Sequence, residues 1–212
     1  MNIPKIIADE LNVKIWQVEK TIELIDDGNT IPFISRYRKE VTGSLNDEQL
    51  RNLDERLTYL RNLDEKKTQV LATIDEQGKL TDELKKQIED AMTMVAVEDL
   101  YRPYRPKRRT RATIAKEKGL EGLANIISLQ MTKNKIADEA KAYVSADKEV
   151  NSEEEAIAGA VDILAEAYAD NADYRTRIRD LTRQKGTLIS VAKNPDEKSV
   201  YEMYYDFKEP VN

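Results

Sequence analysis

Residues 101–111, YRPYRPKRRTR, form the segment of this sequence best suited to binding an anion. Six Lys or Arg are interleaved there with two Tyr and two Pro. Guanidinium groups bind phosphate oxygens through paired hydrogen bonds, and tyrosine rings stack on nucleic-acid bases. An Arg followed by Pro favours an extended, exposed chain. The candidate nucleic-acid contacts are Tyr101, Arg102, Tyr104, Arg105, Lys107, Arg108, Arg109 and Arg111.

The charge of this segment contrasts with that of the rest of the chain. Residues 101–118 contain eight Lys or Arg and one acid, Glu117, and therefore carry +7. Because the net charge of the chain is −6, the remaining residues carry −13. A second, smaller basic cluster consists of Arg36, Arg38 and Lys39, which are further candidate contacts.

Three hypotheses fit the basic segment. Its arginines could contact the phosphates of a nucleic acid, which is a low-specificity interpretation of any run of Lys and Arg. They could instead form an internal clasp by pairing with acidic helices, with the tyrosines packed as anchors. They could also contact an anionic protein. The residues alone leave these alternatives open.

The residue types available for catalysis are restricted, because the chain has no Cys and no His. Disulfides, thiolate nucleophiles, histidine-dependent triads and the usual zinc sites are therefore excluded. The glycine-rich phosphate-binding motifs are also absent from the sequence. Acidic groups such as 54–55 and 153–155 could act as acid–base pairs or magnesium ligands. We expect instead that these side chains lie on exposed helix faces or cap helices. We predict no enzymatic activity, no metal and no cofactor.

The elements that carry these residues are predicted to be helices. Hydrophobic residues make up 40% and charged residues 35% of the chain, with only seven Gly and six Pro, a balance typical of an all-α, multihelical domain. Residues 47–77 are predicted to form one long central helix that begins after an N-cap at Asn46. Its leucines at 50, 53, 57 and 60 have coiled-coil spacing.

A ten-residue repeat interrupts that spacing. The sequence LRNLDE occurs at 50–55 and again at 60–65. Ten residues rotate a helix to about 80° short of whole turns, so the two copies face different directions. We therefore expect the long helix to pack neighbours on more than one side within a globular domain. A homodimeric coiled coil is the alternative.

The C-terminal third contains the clearest local signal and the least certain segment. Ser152 and Glu155 have the spacing of a capping box. The helix that follows is predicted to bury Ile157, Ala160, Val161, Leu164 and Tyr168. After Gly186, the sequence TLISVA is typical of a strand and NPDE of a turn, so a small hairpin is expected, although a helix through KSVYEMYYDF is equally allowed. We predict a multihelical domain over 1–186 and a tail over 187–212.

The chain has no segment that would place it in a membrane. No apolar run approaches the 18 or so residues that a membrane span requires. The N-terminal residues MNIPKIIADELNVKIW contain acids and no apolar signal core. We expect a cytoplasmic protein without a membrane partner.

Two blocks of sequence, 31–60 and 97–124, closely resemble the N-terminal region of the Tex family. These are bacterial transcription accessory proteins, similar to a eukaryotic transcription elongation factor. The resemblance implies a multihelical N-terminal domain with a helix-turn-helix-like portion, within a larger cytoplasmic protein. The parts that follow would be a ribonuclease-H-like domain, a helix-hairpin-helix domain and a C-terminal OB-fold that binds RNA, all absent from this sequence.

The resemblance also implies partners. The full-length protein would bind nucleic acid, either RNA or DNA, and would contact the transcription machinery. The ending DFKEPV resembles a point at which the family's chain continues, so a truncated fragment is expected. We predict the non-catalytic helical part of a nucleic-acid-binding transcription accessory protein, with a basic segment that contacts phosphates. The alternative is a structural or protein-interaction scaffold in which that segment clamps acidic helices.

Overall fold

The structure is a computed structural model that describes all residues, 1–212. It divides into two compact units, residues 1–98 and residues 99–212. The predicted all-α class is confirmed, since the chain forms eleven α-helices and a single two-stranded sheet. None of these helices is both long enough and apolar enough to span a membrane. The predicted domain boundary at Gly186 lies at the end of the last helix and remains a prediction.

The first unit contains five helices and the beginning of a sixth. Its core is formed by the apolar faces of the first three helices against the fourth, the long helix. The helices are α1 (Ile3–Leu11), α2 (Ile15–Asp26), α3 (Ile31–Tyr37), α4 (Asp47–Glu76), α5 (Asp82–Asp90) and α6 (Met94–Tyr101).

Helix α4 confirms the predicted long helix and its start. Asn46 is the N-cap, and its side chain accepts a hydrogen bond from the backbone N–H of Gln49 at 2.8 Å. The Gln49 side chain accepts one in return from the Asn46 N–H at 3.0 Å. Gly78 follows the helix with a φ of +64°, a left-handed conformation that glycine adopts without strain.

The buried residues of α4 lie on two faces. At about 100° per residue, the stripe formed by the first four buried positions points roughly 90° away from the stripe formed by the last four. These positions are Leu50, Leu53, Leu57 and Leu60, followed by Leu63, Lys67, Val70 and Ile74. The rotation confirms that the long helix packs neighbours on more than one side.

Polar contacts identify those neighbours. Arg56 Nε lies 2.7 Å from a carboxylate oxygen of Glu10 in α1. Arg61 donates to Asp26 at the end of α2 at 2.7 Å. Further along α4, Lys67 donates to the backbone carbonyl of Glu89 in α5, the helix that returns antiparallel after the Gly78 turn. Both halves of α4 are therefore used within the first unit.

The second unit is built around helix α10 (Glu153–Asp170). The core that surrounds this helix consists mainly of alanines with a few larger residues, among them Leu120, Leu123, Val150 and Ile163. The other helices of the unit are α7 (Arg111–Glu117), α8 (Glu121–Leu129), α9 (Ile136–Ala140) and α11 (Ala172–Lys185).

The predicted buried face of α10 is partly wrong. Ala160 is buried, and Ile157 and Leu164 are partly buried against the core, as predicted. Val161 and Tyr168, however, are about half exposed, and Ala156 and Ile163 are buried instead. A Cβ atom at Gly159 would lie only 2.4 Å from a methyl group of Leu120. Helix α10 thus contacts its neighbours through small residues that permit close approach, and the larger Val and Tyr lie outside that contact.

The N-terminus of α10 follows the prediction with one difference. The Ser152 hydroxyl accepts a hydrogen bond from the Glu155 N–H at 3.2 Å, as an N-cap should. The Glu155 carboxylate, however, accepts from the N–H of Asn151 at 2.8 Å instead of from that of Ser152. The reciprocal contact is therefore made one residue earlier.

The tail forms the predicted hairpin. Strands β1 (Thr187–Val191) and β2 (Asp206–Pro210) pair antiparallel, from Thr187 opposite Pro210 to Val191 opposite Asp206. The helical alternative for KSVYEMYYDF is wrong, because only Glu202–Tyr204 form a short 3₁₀ turn. Of this stretch, only Asp206 and Phe207 belong to β2, where they pair with Val191 and Ser190 of β1.

Candidate functional site

The basic segment connects α6 to α7 in two parts. Arg102–Tyr104 form a 3₁₀ turn, and an extended stretch leads from there to Thr110. The predicted extended path is therefore wrong for Arg102–Tyr104, since Pro103 is tolerated in the first turn of a helix. Thr110 ends the stretch as the N-cap of α7, where its hydroxyl accepts from the Thr113 N–H at 3.1 Å.

An acidic face of α10 lies beside this segment. Asp162, Glu166 and Asp170 are spaced four residues apart, so their side chains project from one side of the helix. We call these three residues the acidic stripe. A cleft of 620 Å³ is lined by the acidic stripe and by basic residues of the segment.

The beginning and the middle of the segment pair with the end of α10. Arg102 Nε donates to Asp170 Oδ1 at 2.8 Å, and Lys107 Nζ donates to Asp170 Oδ2. Lys107 Nζ also lies 3.3 Å from Glu166 Oε1. Burial alone would lower the pKa of Lys107, but the hydrogen bonds from its ammonium to Asp170 and Glu166 outweigh burial and raise it. Lys107 is therefore held in its charged form.

The pairs at the end of the segment are more exposed. Arg109 Nη2 lies 2.6 Å from Glu117 Oε2, and about half or more of each side chain is exposed. Arg111 Nη2 lies 3.6 Å from Asp162, the first residue of the acidic stripe, and is 85% exposed. Such exposed pairs contribute little to stability. The segment thus runs antiparallel to the acidic stripe and is held most firmly at Asp170.

Arg105 and Arg108 differ from the other basic residues of the segment. Both are exposed, and both line the cleft. No carboxylate forms an ion pair with either guanidinium, although the backbone N–H of Arg105 donates to the Tyr101 carbonyl at 3.1 Å. These two arginines are available to an anionic ligand.

The two predicted base-stacking tyrosines are less accessible. Tyr101 and Tyr104 are half-buried, and each already makes an interaction within the structure. Their predicted contact with bases remains a prediction.

The smaller basic cluster lies in the first unit. Arg36 is exposed near the end of α3, and Lys39 is exposed in the loop that follows. Arg38 instead donates to the Tyr37 carbonyl at 3.0 Å and packs over the Phe33 ring at 5.0 Å from its centre. Within this cluster, Arg36 and Lys39 are therefore more accessible than Arg38.

A second buried carboxylate was not identified from the sequence. Asp99 in α6 accepts hydrogen bonds from Arg175 and Arg179 in α11. Burial would raise the pKa of Asp99, but these hydrogen bonds outweigh burial and hold it below the ordinary value of 3.8. Asp99 therefore ties α11 to the segment that leads into the basic residues.

The spacing of the acidic stripe is the one sequence signal that bears on its ion pairs with the basic segment. Acids at 162, 166 and 170 predict a charged helix face, but nothing local assigns its partner, because Arg102 and Asp170 are 68 residues apart. No group of three or more acidic side chains is arranged to hold a metal ion.

Comparison with known proteins identifies the family. The model of the Tex-like protein N-terminal domain matches residues 1–75, and that of the Tex central region matches residues 131–212. The "transcriptional accessory protein Tex" of Neisseria gonorrhoeae is 44% identical over 213 residues, which is 100% of this chain and 28% of the relative. The chain belongs to the Tex family.

Other relatives are similar over nearly the whole chain. Protein YdcI of Bacillus subtilis is 48% identical over 208 residues, which is 97% of this chain and 29% of the relative. The human "S1 RNA-binding domain-containing protein 1" is 29% identical over 198 residues, which is 92% of this chain and 20% of the relative. The chain thus spans less than a third of the length of these relatives. The basic segment lies between the ranges matched by the two Tex family models.

Proposed function

We propose that this chain is the non-catalytic helical part of a cytoplasmic transcription accessory protein that acts on nucleic acid. The names of two relatives support this role, one a transcriptional accessory protein and the other a protein with an S1 RNA-binding domain. The absence of Cys and His from the sequence supports a role without catalysis. Through the full-length protein, the partners would be RNA or DNA and the transcription machinery.

We further propose that Arg105 and Arg108 supply phosphate contacts. The observation that carries this proposal is that both are exposed and unpaired, in a segment whose other basic residues pair with acids. An unpaired guanidinium can bind a phosphate without first breaking an ion pair. Contacts of this kind are tolerant of sequence and sensitive to salt. Arg36 and Lys39 are candidates for additional contacts of the same kind.

The test is a titration of fluorescent single-stranded and double-stranded oligonucleotides with the 212-residue chain at several salt concentrations. The variant Arg105→Ala/Arg108→Ala should bind more weakly. The slope of log K against log salt should fall by about 0.7–0.9 for each lost phosphate contact. The control is Arg177→Ala/Arg183→Ala, which removes two exposed arginines of α11. Equal losses in both variants, or no loss in either, would contradict the proposed contact.

The ion pairs at Asp170 favour a structural role for Arg102 and Lys107. Replacing Arg102 and Lys107 by Ala would leave that carboxylate, which is 11% exposed, without its partners. An unsatisfied charged group of this kind costs about 2 kcal/mol. Arg102→Ala/Lys107→Ala should therefore lower the melting temperature, and Arg105→Ala/Arg108→Ala should leave it unchanged. Similar melting temperatures for both variants would argue against this division of roles.

The proposed absence of catalysis can be tested separately. We expect no turnover of single- or double-stranded nucleic acid by the chain, with or without added Mg²⁺. Cleavage that depends on Mg²⁺ would contradict the non-catalytic role.

A further inference from the structure

We propose that Asp170 is a positioning residue, whose carboxylate holds both ends of the loop that presents Arg105 to an anionic ligand. This inference rests on the proposed phosphate contact. It assigns to a buried acid a role in binding a ligand of the same charge.

The geometry of the loop carries the inference. Arg102 and Lys107 donate to the two different oxygens of the one Asp170 carboxylate. Residues 103–106 lie between them and form a loop whose ends are held at a single point. Arg105 lies inside that loop, and its N–H donates to the Tyr101 carbonyl at 3.1 Å.

The remaining features make the loop stiff. Pro103 and Pro106 fix two of its four φ angles. Asp170 is the last residue of α10, and its side chain is 11% exposed, so its position is set by the core of the second unit. Lys107 makes an additional ion pair with Glu166 at 3.3 Å. A guanidinium presented from such a loop loses less conformational entropy on binding than one on a free chain.

A purely electrostatic role for Asp170 predicts the opposite result. If Asp170 only neutralised Arg102 and Lys107, its removal would release both cations and strengthen the binding of an anion. If Asp170 positions the loop, its removal weakens binding even though the chain becomes more positive by one charge. The sign of the change therefore distinguishes the two roles.

The test measures the affinity of Asp170→Asn for fluorescein-labelled oligothymidylate and oligouridylate. We expect binding about three- to tenfold weaker than that of the unmodified chain. The matched control is Asp173→Asn, which makes the same change in charge at an exposed carboxylate without an ion pair. This control should bind as tightly as the unmodified chain, or slightly more tightly.

A double-mutant cycle shows whether Asp170 acts through the arginines. In the Arg105→Ala/Arg108→Ala background, Asp170→Asn should cause no further loss of affinity. A loss of the same size in that background would overturn the inference, and so would an Asp170→Asn variant that binds as tightly as the unmodified chain or more tightly.

Two further measurements apply if Asp170→Asn proves poorly folded or if the unmodified chain fails to bind. Pro106→Ala loosens the loop without any change in charge. It should weaken binding while lowering the melting temperature only slightly, because Ala gives the unfolded chain more freedom. An unchanged affinity would count against positioning. Failure of the unmodified chain to bind would refute the proposed phosphate contact itself. The positioning role is then tested by hydrogen exchange at the Arg105 amide. This exchange should be faster in Asp170→Asn than in Asp173→Asn, and equal rates would overturn the positioning role of Asp170.

Discussion

Asp99 and Arg175 are 76 residues apart in the sequence, yet Arg175 Nε donates to Asp99 Oδ1 at 2.6 Å. Arg179, one helical turn further along α11, lies 2.5 Å from the other oxygen of the same carboxylate. The Asp99 side chain is 6% exposed, whereas the two arginines are more than a third exposed. A single buried acid thus fixes a helix whose residues are otherwise largely exposed.

Replacing Asp99 by Asn should loosen α11. The amide keeps the shape of the side chain but loses two charge-assisted hydrogen bonds, which costs about 2–3 kcal/mol. Hydrogen exchange across residues 172–185 should become faster, and Asp180→Asn, a change at an exposed acid of the same helix, should have no such effect. Unchanged exchange in Asp99→Asn would show that other contacts hold the helix.

The contribution of Asp99 should depend on pH. Its pKa in the folded chain lies below the ordinary value of 3.8, so its stabilising effect is fully present above that pH. The effect is lost as the pH falls through the lowered pKa, because the protonated acid no longer attracts the arginines. Urea unfolding of the unmodified chain and of Asp99→Asn should therefore differ at neutral pH and converge at strongly acidic pH. A difference that persisted unchanged in acid would contradict this account.

Lys67 should also make the chain more stable as the pH rises, but in an alkaline range. Its side chain is buried in α4, and Nζ donates to the Glu89 carbonyl oxygen at 2.7 Å. Burial lowers the pKa of Lys67 from 10.5, so the folded state disfavours the charged form. The unmodified chain should gain stability relative to Lys67→Met as the pH rises from the lowered pKa towards 10.5. Urea unfolding followed by Trp16 fluorescence measures this gain, and Lys85→Met, at an exposed lysine of α5, should show none.

Two glycines with nearly equal φ angles allow the effect of backbone strain to be distinguished from that of steric contact when each is replaced by Ala. Gly43 has a φ of +63° and Gly78 one of +64°, so an Ala at either position costs about 1–2 kcal/mol. A Cβ atom at Gly78 meets nothing within 4 Å, whereas one at Gly43 lies 2.4 Å from Cη2 of Trp16 and 2.8 Å from Nε2 of Gln17. Gly43→Ala should therefore destabilise the chain more than Gly78→Ala does.

The fluorescence of Trp16 checks the same comparison directly. Trp16 is the sole tryptophan, and the Gln17 side chain beside it donates to the carbonyls of Thr42 and Gly43. Gly43→Ala should shift the emission of Trp16, and Gly78→Ala should leave it unchanged. Equal stabilities and identical spectra for the two variants would contradict the predicted contact.

Local signals predicted the elements well, because caps and glycines act over a few residues. Asn46 and Ser152 cap their helices as predicted, and the leucines of α4 at 50, 53, 57 and 60 are buried. The packing of α10 was harder to predict, since burial there depends on which neighbours come close. Val161 is exposed and Ile163 is buried because small residues face α7 and Leu120, a choice that hydrophobicity alone does not make.

The candidate site was predictable in its residue types but not in its pairing. The sequence identifies the arginines of the basic segment. It cannot show that Arg102 forms an ion pair with a distant acid and that Arg105 does not. Lys67 is a similar case, because a lysine between apolar positions such as Leu63 and Val70 is normally placed at the edge of a buried stripe. Here the carbonyl of Glu89, from another helix, makes its burial possible.

The rotation of the buried face along α4 has a consequence for self-association. A second copy of the helix lying alongside the first would meet a continuous apolar seam over only half its length, since the seam turns by roughly 90° after Leu60. Both halves of the seam are, moreover, already covered within one chain. The repeated LRNLDE therefore keeps a leucine-rich helix of 30 residues from acting as a zipper.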